Sequence, residues 1–124
     1  MTLQEIRNLL DAEILSCGNQ MHKEVHRAFA ADTMSDLLAF GKAGHILLTR
    51  MTSPQVVRTS DLLEITAIVM VRGKIPPPEV IQLAEELNVP ILATRFLQFD
   101  VSGLLYANGL RGNLEKADDR RALA

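Results

Sequence analysis

The pattern of apolar and polar residues is dominated by three short apolar runs, each followed closely by an arginine. The predicted strands are residues 45–49, 67–71 and 91–94, and the arginines are Arg50, Arg72 and Arg95. Within each run, apolar side chains follow one another directly instead of alternating with polar ones. This pattern is typical of strands in a parallel sheet that helices cover on both faces.

Apolar residues at helical spacing, together with capping residues, predict five helices around these strands. Thr2 and Glu5 form a capping box before a helix at residues 3–11. Ser35 is expected to cap the next helix, and Gly41 is expected to end it in a left-handed conformation. The remaining helices are predicted to begin at Ser53-Pro54, after the proline run 76–78, and near Phe99.

Two further strands are predicted earlier in the chain, at residues 12–17 and in the segment from Val25 into Asp32. The repeated strand–helix–strand order with short connections predicts right-handed crossovers and a mainly parallel sheet. The expected fold class is therefore α/β, a single domain with a mainly parallel β-sheet and helices on both faces. Residues 1–110 are assigned to this domain and residues 111–124 to a flexible charged tail, because apolar periodicity ends there.

Composition excludes several classes of protein. The chain has 124 residues, of which 48% are hydrophobic and 23% charged, as is ordinary for one globular domain. No apolar stretch approaches the roughly 20 residues of a membrane helix, and the first residues do not form a signal peptide. We therefore expect a cytoplasmic protein with no membrane partner. A net charge of −2 gives no electrostatic reason to expect a nucleic-acid partner.

Four segments, residues 31–38, 73–81, 84–94 and 99–106, carry a resemblance to a known family. On these segments residues 1–110 resemble the DRTGG-domain family, a small α/β module that occurs alone or beside other domains, including those of CBS-containing pyrophosphatases. The chain is also similar to the N-terminal domain of HPr kinase/phosphorylase. Where the family motif has Thr-Gly-Gly, this chain has Val71-Arg72-Gly73, and its Asp-Arg pair, Asp119-Arg120, lies in the predicted tail.

The resemblance implies a non-catalytic regulatory or ligand-sensing module that is homodimeric and uses no cofactor. The alternative is a protein–protein interaction module with no small-molecule ligand. Some stand-alone relatives are encoded near iron-hydrogenase genes, which links this alternative to redox metabolism.

Kinase chemistry and metal binding are both disfavoured by the residues present. A phosphate-binding loop needs G-x-x-x-x-G-K-[ST]. If Gly73-Lys74 were its Gly-Lys pair, the first glycine would fall at position 68 and the Ser or Thr at position 75, but both positions are isoleucine. His22 and His26 are four residues apart, a spacing that aligns metal ligands only on a helix, and they lie in a predicted turn and strand. We expect neither an enzyme nor a metal site.

The three arginines define the candidate site. If their strands are parallel, Arg50, Arg72 and Arg95 follow at the same edge of the sheet, where ligands of α/β proteins bind. Helices begin nearby, and fixed positive charge beside free amide groups favours a small anionic ligand. The predicted ligand-binding residues are Asp32, Ser35, Asp36, Thr49, Arg50, Arg72, Gly73, Thr94 and Arg95.

Each of these residues also has a structural interpretation. The arginines are equally suited to ion pairs within a subunit or across a dimer, with Asp32, Asp36, Asp61 and Asp100 as possible partners. Thr49 and Thr94 either hydrogen-bond a ligand or close their strands.

Overall fold

The computed structural model describes residues 1–114. Its helices are α1 (Leu3–Leu9), α2 (Met34–Phe40), α3 (Pro54–Leu62), α4 (Pro78–Glu86) and α5 (Gln98–Ala107). Its strands are β1 (Glu13–Ser16), β2 (Ala28–Ala30), β3 (Ile46–Thr49), β4 (Ala67–Met70) and β5 (Ile91–Ala93). A single 3₁₀ turn, Gly18–Gln20, follows β1. Every predicted helix and strand is therefore present, with ends shifted by a few residues.

The five strands form one sheet in the order β1-β5-β4-β3-β2. Strands β2 to β5 are mutually parallel, so the predicted mainly parallel sheet is confirmed. β1 runs antiparallel to β5, with Glu13 opposite Ala93. The start of β1 therefore lies at the same edge as the ends of the parallel strands.

Helices cover both faces of the sheet, as the continuous apolar strands predict. One hydrophobic core joins α1 and α5 to one face through side chains such as Ile6 and Val101. The other core joins α2, α3 and α4 to the opposite face, through Leu37, Val57 and Val80. Strand residues alternate between the two cores, so each run is buried on both sides.

Two local expectations about the ends of α2 were wrong. The cap of α2 is Thr33, whose hydroxyl accepts from the Asp36 amide at 3.2 Å, so Ser35 lies inside the first turn instead. Gly41 has a φ of −66° and is not left-handed; it is needed because a Cβ there would lie 2.6 Å from the Leu37 carbonyl oxygen. Ser53 is the N-cap residue of α3 and Pro54 begins the helix, as predicted, but the Ser53 side chain makes no capping bond. The capping box of Thr2 and Glu5 is present.

The predicted tail begins on a segment that contacts the sheet. The Ala28 amide donates to the Arg111 carbonyl at 2.9 Å, and the Arg111 amide donates to the His26 carbonyl at 3.3 Å. Residues 111–114 therefore lie along the free side of β2. The rest of the predicted tail, including Asp119-Arg120, lies outside the described residues. No helix within residues 1–114 has the length and apolar character needed to cross a membrane.

Candidate ligand site at the carboxyl rim of the sheet

The loops that follow β2 to β5, together with the turn before β1, form one edge of the sheet, which we call the carboxyl rim. Because β3, β4 and β5 are parallel, the backbone of Arg50, Arg72 and Arg95 lies along this rim, as predicted. The structure gives the three arginines different surroundings.

Arg50 is held by an ion pair within the chain. Its backbone amide and its Nε donate to the two carboxylate oxygens of Asp32, at 2.9 and 3.1 Å. Asp32 follows β2 and Arg50 follows β3, the strand beside it. Asp32, one of the four aspartates considered, is therefore the partner of Arg50 within the chain.

Thr49 and Thr94 close their strands. Both are buried, and each hydroxyl accepts from the amide two residues further on, that of Met51 at 3.0 Å and that of Phe96 at 3.2 Å. The Thr94 hydroxyl also donates to the Leu10 carbonyl at 2.7 Å, which ties the end of α1 to the rim. These bonds explain both threonines without a ligand.

Arg72 and Gly73 form a left-handed turn after β4, with φ of 65° and 69°. Their amides donate to the carbonyls of Phe96 and Thr94, at 2.8 and 2.9 Å, so the turn is fixed to the loop after β5. A left-handed conformation is strained for arginine but costs glycine nothing. The Arg72 side chain is exposed and makes no hydrogen bond to any other part of residues 1–114.

Arg95 opens onto a depression of about 280 Å³, which we call the rim cleft. Its lining residues are Asp11, Glu13, Gly73, Ile75, Ala93, Thr94 and Arg95. A second depression of about 260 Å³ adjoins it and adds Leu10 and Phe96 to the shared residues Asp11, Thr94 and Arg95. Three of the predicted ligand-binding residues, Gly73, Thr94 and Arg95, therefore line one concave surface.

The charged groups of the rim cleft do not neutralise one another. Within residues 1–114, the side chains of Asp11, Glu13 and Arg95 make no hydrogen bond and no ion pair within 4.0 Å. The segment beside β5 offers Arg95 no acidic partner among the described residues. Met70 pairs with Ala93, and the turn that follows, Arg72-Gly73, carries no carboxylate and is bonded to the loop after β5.

The other predicted residues lie away from this cleft. Ser35 and Asp36 are exposed in the first turn of α2, where the Ser35 hydroxyl lies 3.2 Å from that of Thr33. Asp32, Thr49 and Arg50 belong to the ion pair and strand closure described above.

Asp11 and Glu13 were not predicted as site residues. They enter the rim cleft because β1 is antiparallel to β5, which brings its first residue rather than its last to the rim. The only sequence signal was a pair of acidic residues bracketing the start of a predicted strand.

The described residues hold no cluster of three or more histidine, cysteine or acidic side chains suited to a metal ion. His26 is exposed, and its Nε2 lies 3.8 Å from a carboxylate oxygen of Glu24. Cys17 is buried, and its burial, followed by the negative charge of Glu85, raises the pKa of its thiol. A raised pKa makes this thiol a weak nucleophile at neutral pH.

Comparison with known proteins gives a family and a fold. The profile of the DRTGG domain matches residues 5–107. The chain is 26% identical over 107 residues to the uncharacterized protein YtoI of Bacillus subtilis (strain 168), a match that covers 85% of this chain and 24% of that protein.

A similar solved structure contains the CBS and DRTGG domains of the regulatory region of Clostridium perfringens pyrophosphatase, complexed with the activator diadenosine tetraphosphate. It aligns with a TM-score of 0.72 at 19% identity, over 98% of this chain and 56% of the other. The chain thus spans about a quarter of the first relative and just over half of the second, and the structural likeness shows the fold.

Proposed function

Because the chain belongs to the DRTGG domain family, we propose that it is a non-catalytic regulatory module that binds a small anionic metabolite or nucleotide in the rim cleft. The observation that carries this proposal is that Arg95 lines a concave site and its guanidinium has no partner within residues 1–114. Arg50, at the equivalent place after β3, is instead bound by Asp32.

Position and charge support the proposal. The cleft lies beyond the carboxyl ends of parallel strands, where open α/β sheets bind their ligands. Arg72 lies on the same rim, where its backbone amide is bonded to the loop after β5, but its side chain does not line the cleft. The guanidinium of Arg95 can donate two parallel hydrogen bonds to a phosphate or a carboxylate. The pyrophosphatase regulatory region was solved with a nucleotide activator, which favours a nucleotide among the possible anions.

A regulatory role fits the residues better than catalysis does. The only Gly-Lys pair near the rim, Gly73-Lys74, is followed by Ile75, so the motif of a phosphate-transferring loop is incomplete. Asp11 and Glu13 adjoin the cleft without a histidine, serine or cysteine among its lining residues. We therefore assign binding rather than turnover to this site.

Thermal shift against a panel of nucleotides and phosphorylated metabolites tests the proposal. A ligand that binds the folded chain raises its melting temperature in a saturable way. The rise should disappear in Arg95→Ala and persist in Arg58→Ala, which removes an exposed arginine of α3 that does not line the rim cleft. A panel that never shifts the wild-type chain, or a shift that survives Arg95→Ala, would contradict the proposal.

We also propose that the predicted homodimer forms through α5. This helix carries apolar residues around most of its circumference, so its core face does not account for all of them. Phe99 and Tyr106 are 87% and 56% exposed, and Gly103 lies between them on the same face. Phe96, 42% exposed, lines a shallow depression together with Phe99 and Gly103. Two antiparallel copies crossing at Gly103 would place Phe99 of one chain beside Tyr106 of the other.

The size of this surface predicts a weak dimer. At about 200 Å² per aromatic side chain, the exposed fractions leave roughly 350–400 Å² of aromatic surface on each chain. The sum over two chains falls below the 1,000 Å² or so of a stable interface, so dimerisation should depend on concentration.

Light scattering after size exclusion, over a range of protein concentrations, tests this interface. Phe99→Glu should keep the chain monomeric, whereas the control Leu62→Glu, which changes an 81% exposed residue of α3, should not. Equal behaviour of the two variants would place the interface elsewhere. Loss of the dimer in Arg95→Ala instead, without any ligand response, would favour the pure interaction module.

A further inference from the structure

The rim cleft contains two carboxylates for each guanidinium. Glu13 is the first residue of β1 and stands opposite Ala93, so it flanks the strand that leads to Arg95. Asp11 follows α1 in a left-handed conformation, with a φ of 47°. This conformation belongs to the helix end, because it lets the Ala12 amide donate to the Arg7 carbonyl at 2.9 Å. Asp11, Glu13 and Arg95 are all exposed at the mouth of the cleft.

This charge balance is unsuited to a ligand that carries only negative charge. A bare phosphate or pyrophosphate held by Arg95 would also face Asp11 and Glu13, and like charges repel across a shared cleft. Ionised carboxylates only accept hydrogen bonds, so they need donors from the ligand. A ligand that fits all three groups must therefore present hydroxyl or amino groups close to its anionic group.

Resting on the function proposed above, we infer that the rim cleft takes a phosphorylated ligand with hydroxyl or amino donors beside the phosphate, as in a nucleoside monophosphate. Arg95 holds the phosphate, and Asp11 and Glu13 accept from sugar hydroxyls or from an amino group of the base. Ile75 and Phe96, 58% and 42% exposed, offer apolar surface on which a base can lie. The two adjoining depressions, about 280 and 260 Å³, are each close to the roughly 300 Å³ at the lower end of small-molecule sites.

Calorimetric titration of the full chain with AMP and with inorganic pyrophosphate tests the inference. Wild-type chain should bind AMP more tightly than pyrophosphate. Glu13→Gln and Asp11→Asn should each weaken AMP binding about tenfold, the usual loss for a charge-assisted hydrogen bond. The same variants should strengthen pyrophosphate binding about two- to fivefold, because they remove a like charge. A residue needed only for folding would not move the two affinities in opposite directions.

Asp61→Asn is the matched control, since it neutralises an exposed carboxylate of α3 outside the cleft. It should leave both affinities unchanged. Two further titrations identify the donor: ribose 5-phosphate keeps the hydroxyls without a base, and IMP replaces the amino group of AMP by an oxygen. Binding of both would assign the carboxylates to the sugar, and loss of both would assign them to the base.

The outcomes separate this inference from the function on which it rests. If pyrophosphate binds in an Arg95-dependent manner and Glu13→Gln tightens AMP as well, the anion site stands and the role of the carboxylates is refuted. If wild-type chain binds neither AMP nor pyrophosphate, this inference is refuted, and the thermal-shift panel decides separately whether the anion site stands.

Discussion

Two threonine–arginine pairs occupy equivalent places in the sheet and have different chemistry. Thr49-Arg50 ends β3, and Thr94-Arg95 ends β5, each with a buried threonine whose hydroxyl accepts from the amide two residues on. Arg50 is bonded to Asp32, whereas the Arg95 side chain has no partner in the described part of the chain. The local motif thus fixes the backbone but does not decide what the guanidinium does.

The residue that follows the neighbouring strand determines whether the arginine has an acidic partner. Ala30 pairs with Leu48, and two residues further on Asp32 binds Arg50. Met70 pairs with Ala93, and the residue two positions beyond Met70 is Arg72, in a turn that is bonded to the loop after β5. An acidic residue at this register position turns an arginine into a structural group. A basic residue at the same position leaves the arginine available for a ligand.

The largest expected difference between the two pairs concerns their threonines. Thr94→Val removes the hydroxyl that donates to the Leu10 carbonyl and leaves that carbonyl without its bond, which should cost about 2–3 kcal/mol. Thr49→Val removes only an acceptor for the Met51 amide and should cost about 1 kcal/mol. Urea denaturation of both variants measures the difference, and equal losses would show that the tie to α1 is unimportant.

Removing the partner of Arg50 should have an intermediate effect. Asp32→Ala deletes two hydrogen bonds to Arg50 in a partly exposed site, so the free energy of unfolding should fall by about 1–2 kcal/mol. Arg95→Ala removes no bond within the described residues and should change it by less than 0.5 kcal/mol. Matched urea titrations decide this, and a larger loss in Arg95→Ala would reverse the assignment of the two arginines.

A substitution at Arg72 can give Arg95 an acidic neighbour like the one that Arg50 has in Asp32. Arg72→Asp places a carboxylate two residues beyond Met70, as Asp32 lies two residues beyond Ala30 on the strand beside Arg50. Aspartate tolerates the left-handed backbone better than arginine, so stability should rise by about 0.5–1 kcal/mol. Ligand-induced thermal shifts should be abolished in this variant because Arg95 is then paired. An unchanged shift would show that register does not control the availability of Arg95.

The smallest expected effect is at Cys17, far from both pairs. Burial raises the pKa of its thiol, so the folded chain keeps the proton to higher pH than the unfolded chain does. Stability should therefore fall as the pH rises through and above the pKa of the unfolded thiol, and Cys17→Ala should remove this fall. Alkylation at pH 8 should be equally slow in wild type, Asp32→Ala and Arg95→Ala. Faster alkylation in one of them would show that its change is not local.

Much of the fold could be read from local pattern. Continuous apolar runs such as residues 67–71 identify strands buried on both faces, and helical spacing between them leaves a parallel sheet as the simple arrangement. Parallel strands then place Arg50, Arg72 and Arg95 on one rim. Prediction worked for the type and order of the helices and strands, which the apolar pattern of each segment determines.

The site was less predictable because its chemistry depends on pairing between segments. Four aspartates were candidate ion-pair partners of the arginines. The pairing of β2 with β3 is what brings Asp32, and not the other three, to Arg50. Asp11 and Glu13 reach the rim cleft through the antiparallel direction of β1, which no local pattern encodes. The cap of α2 was misplaced for a simpler reason: Thr33 and Ser35 are both good capping residues, and the first helical residue decided between them.

The two borders of the sheet restrict how this chain assembles with others. β1 has an irregular register between Ile14 and Ser16, and β2 has only three residues, with the backbone of Arg111 bonded along its outer side. Edge strands that are irregular, short or covered pair poorly with a strand of another chain, which protects against amyloid-like stacking. Association is thereby directed to side-chain surfaces, and concentrated solutions should form discrete oligomers rather than fibres.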